Sequence, residues 1–129
     1  MTIFSRIVQG EIPCYKIAET EDFLAFLDAF PVLKGHVLVV PKQEIDYIYD
    51  LSDDVLAAMH IFAKRVAKAV QAYTCCARVS VLVAGFEVPH AHIHLLPTNE
   101  MRDIQFAEKL KFSPAEFQEI ADGIKAFLA

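Results

Sequence analysis

The spacing of apolar positions changes along the chain, and each change marks an element. Ile3, Phe4 and Ile7 fall on one side of a short helix, with Thr2 placed to cap it and Gly10 to stop it. Residues 14–19 predict a first strand, and the polar run Glu19-Thr20-Glu21-Asp22 a hairpin turn. Phe23 to Leu27 is apolar at every position, which predicts a second strand covered on both faces. A loop with Pro31 and Gly35 leads to a third strand from His36 to Val40, closed by Pro41. Residues 43–51 predict a short helical turn. Ser52 followed by Asp53 and Asp54 then places a capping hydroxyl and two acids at a helix start. Val55, Met59, Phe62, Val66, Val70 and Tyr73 recur every three or four residues, a single stripe along a helix of about 20 residues. Lys64, Arg65 and Lys68 lie off the stripe and read as a solvated face. Residues 77–83 and 89–96 predict strands four and five. Ser113-Pro114-Ala115-Glu116 joins a capping box to a proline at the first helical position, opening a last helix with Phe117, Ile120, Ile124 and Phe127 on one face. Gly123 inside it is expected to loosen the final turn by about 1 kcal/mol relative to alanine.

Strands in runs, rather than in strict alternation with helices, predict an α+β fold with a mainly antiparallel sheet. The 129 residues suit one domain, and no repeat or linker divides them. A net charge of −5 gives no basic footprint for nucleic acid. No apolar run approaches the ~20 residues that cross a bilayer. The N-terminus lacks the layout of a secretory signal. Cys14, Cys75 and Cys76 are odd in number and two are adjacent, which argues against a disulfide framework and for a reducing, cytoplasmic setting.

The chemistry concentrates in Pro89-His90-Ala91-His92-Ile93-His94-Leu95-Leu96-Pro97. With the two-residue period of a strand, His90, His92 and His94 share one face, and Ala91, Ile93 and Leu95 share the other. A row of imidazoles has two uses. It can ligate a divalent metal such as zinc. Alternatively, one ring attacks phosphorus while the others hold phosphate oxygens or set its tautomer. The turn Gly85-Phe86-Glu87-Val88 before the row can offer backbone N–H groups to an anion. Asp28, at the end of strand two, can accept hydrogen bonds from both ribose hydroxyls. His36 can lean on the row. Ile3, Phe4, Ile7 and Phe26 can sandwich a purine. These neighbours favour the phosphorus chemistry.

Residues 90–96 match His-φ-His-φ-His-φ-φ, with φ apolar, the defining motif of the histidine triad (HIT) family of nucleotide hydrolases and transferases. The resemblance extends over about residues 2–98, through Gly10-Glu11-Ile12-Pro13, Phe26-Leu27-Asp28 and Gly35-His36-Val37-Leu38-Val39-Val40-Pro41-Lys42; the remaining C-terminal extension, with a helix at about 114–128, resembles tails of some bacterial members. The resemblance implies five antiparallel strands in a meander, a long helix and a C-terminal helix, with two chains pairing into a ten-stranded sheet as a homodimer. It implies an AMP-type purine nucleotide joined through its α-phosphorus to an amine or a further phosphate. His92 would attack phosphorus, His94 would contact phosphate oxygens, and His90 and His36 would orient the set. Asp28 would hold the ribose, and Ile3, Phe4, Ile7, Phe26 and Ala29 would line the base pocket, with Gly85, Phe86 and Glu87 at the phosphate approach. Ala29 replaces a larger residue usual there.

Three departures from the family pattern bear on function. Phe86 replaces a glutamine whose amide reaches phosphate. Glu87 stands where several members have a hydroxyl that donates to the leaving group; a glutamate would do so only if protonated, or would favour a cationic leaving group. An asparagine usual on strand four is missing from Ser80-Val81-Leu82-Val83-Ala84. Such changes leave a weakly catalytic or non-catalytic purine-nucleotide-binding module as the alternative. Many bacterial members also carry Cys-x-x-Cys near the start for a structural zinc. Thr2 and Ser5 stand there instead, so neither that zinc nor any other cofactor is expected.

Overall fold

A computed structural model describes all residues, Met1–Ala129. The elements are α1 (Ile3–Val8), β1 (Lys16–Glu19), β2 (Phe23–Leu27), β3 (Val37–Pro41), α2 (Asp53–Thr74), β4 (Arg78–Leu82), β5 (Ile93–Thr98) and α3 (Pro114–Lys125), with 3-10 turns at Ile48–Asp50 and Met101–Asp103. The order of helices and strands is the one the sequence predicts. All pairings are antiparallel, in the order β1-β2-β3-β5-β4. The first three strands form a meander. The last two enter in reverse, so β5 lies inside the sheet and β4 forms an edge.

Every residue of β2 and β3 is buried, because both faces of these strands are covered. Phe23, Ala25, Leu27, Val37 and Val39 join Ile93 and Leu95 in the main core, against the apolar stripes of α2 and α3. Leu24, Phe26, Leu38 and Val40 face the other way and pack with Phe4 of α1. This second core is smaller, with five buried members against 22 in the first.

The caps act as the sequence predicts. The Thr2 hydroxyl accepts from the Ser5 N–H, the Ser52 hydroxyl from Val55, and Ser113 and Glu116 form the reciprocal box of α3. Lys64, Arg65 and Lys68 are exposed. Gly123 is a difference from expectation. An added Cβ would lie 2.1 Å from Cε1 of Tyr73, so the missing side chain lets α2 and α3 approach rather than loosening the last turn.

Strand five also differs. It starts at Ile93 rather than Pro89, and it runs on through Pro97. His90 N–H donates to the Val88 carbonyl and Ala91 N–H to the Ile45 carbonyl, so these residues bond to a loop instead of a neighbouring strand. Strands one and three likewise begin late, at Lys16 and Val37.

Candidate active site

The alternation of the histidine segment persists although its first half precedes the strand. Ala91, Ile93 and Leu95 enter the main core. The rings of His92 and His94 lie side by side, 4.9 Å between centroids, and Phe4 of α1 touches both His92 (5.0 Å) and His90 (5.7 Å) edge-on. All three histidines are buried, as is His36.

Hydrogen bonds set the tautomer of each ring, because a backbone N–H can only donate and a carbonyl can only accept. Val32 N–H donates to Nδ1 of His36 (3.2 Å), which leaves the His36 proton on Nε2. That proton faces Nδ1 of His94 at 2.9 Å, so His94 accepts there and carries its own proton on Nε2. Burial, with Lys109 and His92 adding repulsion, pushes the His36 pKa down to about 3. Burial and the neighbouring His36 push His94 to about 4. Both rings are therefore neutral at pH 7, and His94 presents an N–H donor. His92 is set the opposite way. Its Nδ1 donates to the His90 carbonyl (2.7 Å), and the nitrogen with the free lone pair is Nε2.

The His90 ring bonds to neither of the other two imidazoles of the row. Its Nε2 donates to the Pro41 carbonyl (2.8 Å), so Nδ1 accepts from the Thr2 hydroxyl (2.8 Å). Desolvation lowers its pKa as well. The Thr2 N–H donates to Glu44 (2.9 Å), and the Ser5 hydroxyl donates to the same carboxylate oxygen, which holds the Glu44 pKa below its usual value. Two hydroxyls, one carboxylate and an imidazole with both nitrogens already engaged make up this cluster. A structural zinc takes thiolates and imidazoles, so the donor set does not suit one. A second grouping, Asp28, His36 and His94, has three ligand atoms within 4.8 Å. The His36–His94 hydrogen bond satisfies two of them internally.

A cavity of about 470 Å³ opens beside His92 and His94, of a size that suits small-molecule ligands. Its walls include Ile3, Phe4, Ile7, Phe26, Asp28, Ala29 and Glu87, all singled out from the sequence. Asp28 has one oxygen accepting from the Phe30 N–H (2.9 Å) and the other 3.5 Å from His36 Nε2; lone pairs remain on both. Gly85 and Phe86 lie outside this cavity. They border two other clefts that share His92, and Phe86 is 96% exposed. Gly85, at φ +80°, supplies the left-handed turn.

Sequence reasoning missed the segment after β5. Leu110 N–H donates to the Pro31 carbonyl (2.7 Å) and ties this segment across the site. The Phe106 ring meets His94 edge-on at 5.2 Å, Lys109 Nζ lies 4.8 Å from that ring, and Lys109 joins the cavity wall. No periodicity marks this stretch, so its residues carry no signal of their role.

Comparison with known proteins agrees with this geometry. A family profile described as HIT domain matches residues 9–101. An adenosine 5'-monophosphoramidase of Schizosaccharomyces pombe is 41% identical over 97 residues, covering 74% of this chain and 72% of that protein. The fold aligns with the crystal structure of a Hit-like protein involved in cell-cycle regulation from Bartonella henselae, at TM-score 0.86 and 27% identity over 98% of this chain and 96% of the other. It also aligns with a zinc-bound histidine triad family protein from Mycobacterium smegmatis, at TM-score 0.81 and 26% identity over 97% and 91%. With the motif at residues 90–96, a domain match over most of its length and the same five-stranded architecture, the chain belongs to the histidine triad family.

Proposed function

We propose that the protein is a nucleotide hydrolase that cleaves a bond at the α-phosphorus of a nucleoside monophosphate conjugate, an adenosine phosphoramidate foremost, through a nucleotidyl-His92 intermediate. The observation that carries this reading is the pair of opposed tautomers. His92 keeps a lone pair on Nε2 because the His90 carbonyl takes its Nδ1 proton. His94 keeps an N–H on Nε2 because His36 donates to its Nδ1. One ring is a nucleophile and its neighbour is a donor for the charge that develops on a phosphate oxygen. The name of the S. pombe relative supports the same reaction.

In the first step the His92 Nε2 lone pair forms a bond to phosphorus. The bond from phosphorus to the leaving nitrogen breaks, its electron pair stays on that nitrogen, and water supplies the proton. In the second step water attacks phosphorus, the pair of the N–P bond returns to Nε2, and the water proton passes to solvent. The His94 N–H is worth roughly 3–4 kcal/mol if it strengthens in the transition state. Asp28 accepts the ribose hydroxyls, and Ile3, Phe4, Ile7, Phe26 and Ala29 surround the base. His90 and His36 act through their neighbours, as positioning residues.

Replacing His92 with alanine should lower turnover of an adenosine phosphoramidate by on the order of 10⁴-fold or more while AMP binding stays measurable by calorimetry. Mass spectrometry of rapidly quenched wild-type enzyme should detect the nucleotidyl adduct. Turnover retained by the variant sinks the mechanism. The second reading, a purine-nucleotide-binding module with little catalysis, is favoured by Phe86, which extends into solvent and has no hydrogen bond to offer phosphate. AMP binding by wild type with no release from any conjugate would select it.

We also propose that two chains pair through β4 into a ten-stranded sheet. β4 is an edge strand with Val81 exposed, Val83 follows it, and Ile61 on α2 is exposed as well. No helix is long and apolar enough to cross a membrane. The three free cysteines suit a reducing compartment such as the cytoplasm.

A further inference from the structure

The cavity beside His92 and His94 has a charge balance that does not favour a phosphate. Two acidic side chains, Asp28 and Glu87, line it. The His94 ring in its wall and the His36 ring bonded to it are both neutral at pH 7. The chain as a whole carries a net charge of −5. A phosphate monoester such as AMP brings about 1.5–2 further negative charges at pH 7. Among the lysines and arginines, one alone lines this cavity: Lys109.

Lys109 is held there by contacts on both sides of it in the chain. Leu110 N–H donates to the Pro31 carbonyl (2.7 Å), in the loop between β2 and β3 that also carries Asp28. Three residues before Lys109, the Phe106 ring meets His94 edge-on at 5.2 Å and His36 at 6.1 Å. The same ring carries the ammonium group, with Lys109 Nζ 4.8 Å from its centroid. The positive charge acts on the histidine pair, because it adds to the causes that lower the pKa values of His36 and His94. A cation–π contact at an exposed side chain is weak, and the four-carbon stem of lysine is flexible. A phosphate oxygen beside His94 offers a full negative charge instead of a ring quadrupole. The ammonium group can therefore exchange the ring for the phosphate by rotating its side chain, with the backbone at Leu110 fixed. The family profile ends at residue 101, so this cation belongs to the extension that follows it.

Resting on the reading of this cavity as the nucleotide site, we propose that Lys109 is a specificity-determining residue for the phosphate. Its Nζ waits on the Phe106 ring and pairs with the nucleotide phosphate when that group reaches His92 and His94. The segment after β5 thereby gives the cavity its preference for a nucleotide over the corresponding nucleoside.

The test is calorimetric titration of the full-length protein with AMP and with adenosine. Lys109 is exposed, so Lys109→Ala should weaken AMP binding by about fivefold at low salt and leave adenosine binding unchanged. Lys109→Arg should keep most of the AMP affinity. Added salt should weaken AMP binding to wild type more than to Lys109→Ala. AMP affinity unmoved by Lys109→Ala overturns the proposal. Equal losses for AMP and adenosine overturn it as well, because the side chain then serves only to pack. An arginine variant as weak as the alanine one overturns charge as the cause. Wild-type affinity for AMP that ignores salt overturns the proposal even if the variants fail to fold. Each of these results leaves the nucleotide site standing. Failure of wild type to bind AMP at all removes the nucleotide reading and this proposal with it.

Discussion

Acidification from pH 7 to pH 5 should weaken the fold through His36 and His94. Both are buried and neutral, at about 3 and about 4 in the folded protein. In the unfolded chain each returns to about 6.5. Between these values the unfolded state binds more protons than the native one, so stability rises with pH. The stability present above pH 6.5 is lost as pH falls toward the folded values. Across the roughly 1.5 units from pH 6.5 to 5, at about 1.4 kcal/mol per unit, each histidine forfeits about 2 kcal/mol, and the pair about 4. That is a large share of the about 5–15 kcal/mol that holds a domain together. His90, also lowered by burial, acts in the same sense. Glu19, held at about 2 by Lys16 and Lys42, loses its contribution only below about pH 4.5, so the two effects separate. Urea unfolding followed by circular dichroism at both pH values should show the midpoint falling with little change in slope. A His36→Asn, His94→Asn double variant should lose most of this dependence. An equal midpoint at pH 7 and pH 5, or an undiminished shift in the double variant, would refute the assignment of two neutral buried rings.

Gly123→Ala should lower the thermal midpoint. The new Cβ would sit 2.1 Å from Tyr73, and overpacking of about 1–3 kcal/mol outweighs the roughly 1 kcal/mol gained in helix propensity. A raised midpoint would refute close packing at this contact. Light scattering should return twice the 14.5 kDa chain mass, and a monomer would contradict pairing through β4.

Much of this arrangement is legible because it is local or periodic. The period of two around His92 sends Ala91, Ile93 and Leu95 into the core, and the alternation persists even where the strand itself has not begun. The Thr2, Ser52 and Ser113 caps each depend on residues three positions away. What escapes is tertiary. The late start of β5 follows from hydrogen bonds to Ile45 and Val88, which no pattern in residues 89–96 encodes. Gly123 looks like a flaw in a helix until Tyr73, fifty residues earlier, is seen against it. Glu44 lies 39 residues from Ser5, and Phe106 and Lys109 sit in an aperiodic stretch. Gly85 and Phe86 border clefts other than the cavity beside Asp28, although Glu87 and Val88 next to them line it, a placement that sequence order alone does not encode.

The clasp between Thr2 and His90 has a consequence for how the protein responds to warming. A helix end is where thermal fraying begins, and this one is joined to the proposed nucleophile by two successive links: hydroxyl to ring, then carbonyl to ring. Unwinding a single turn at the start of the chain would let His92 swivel while the sheet beneath it stays intact. Catalysis should therefore decline at temperatures where the bulk of the protein is still folded.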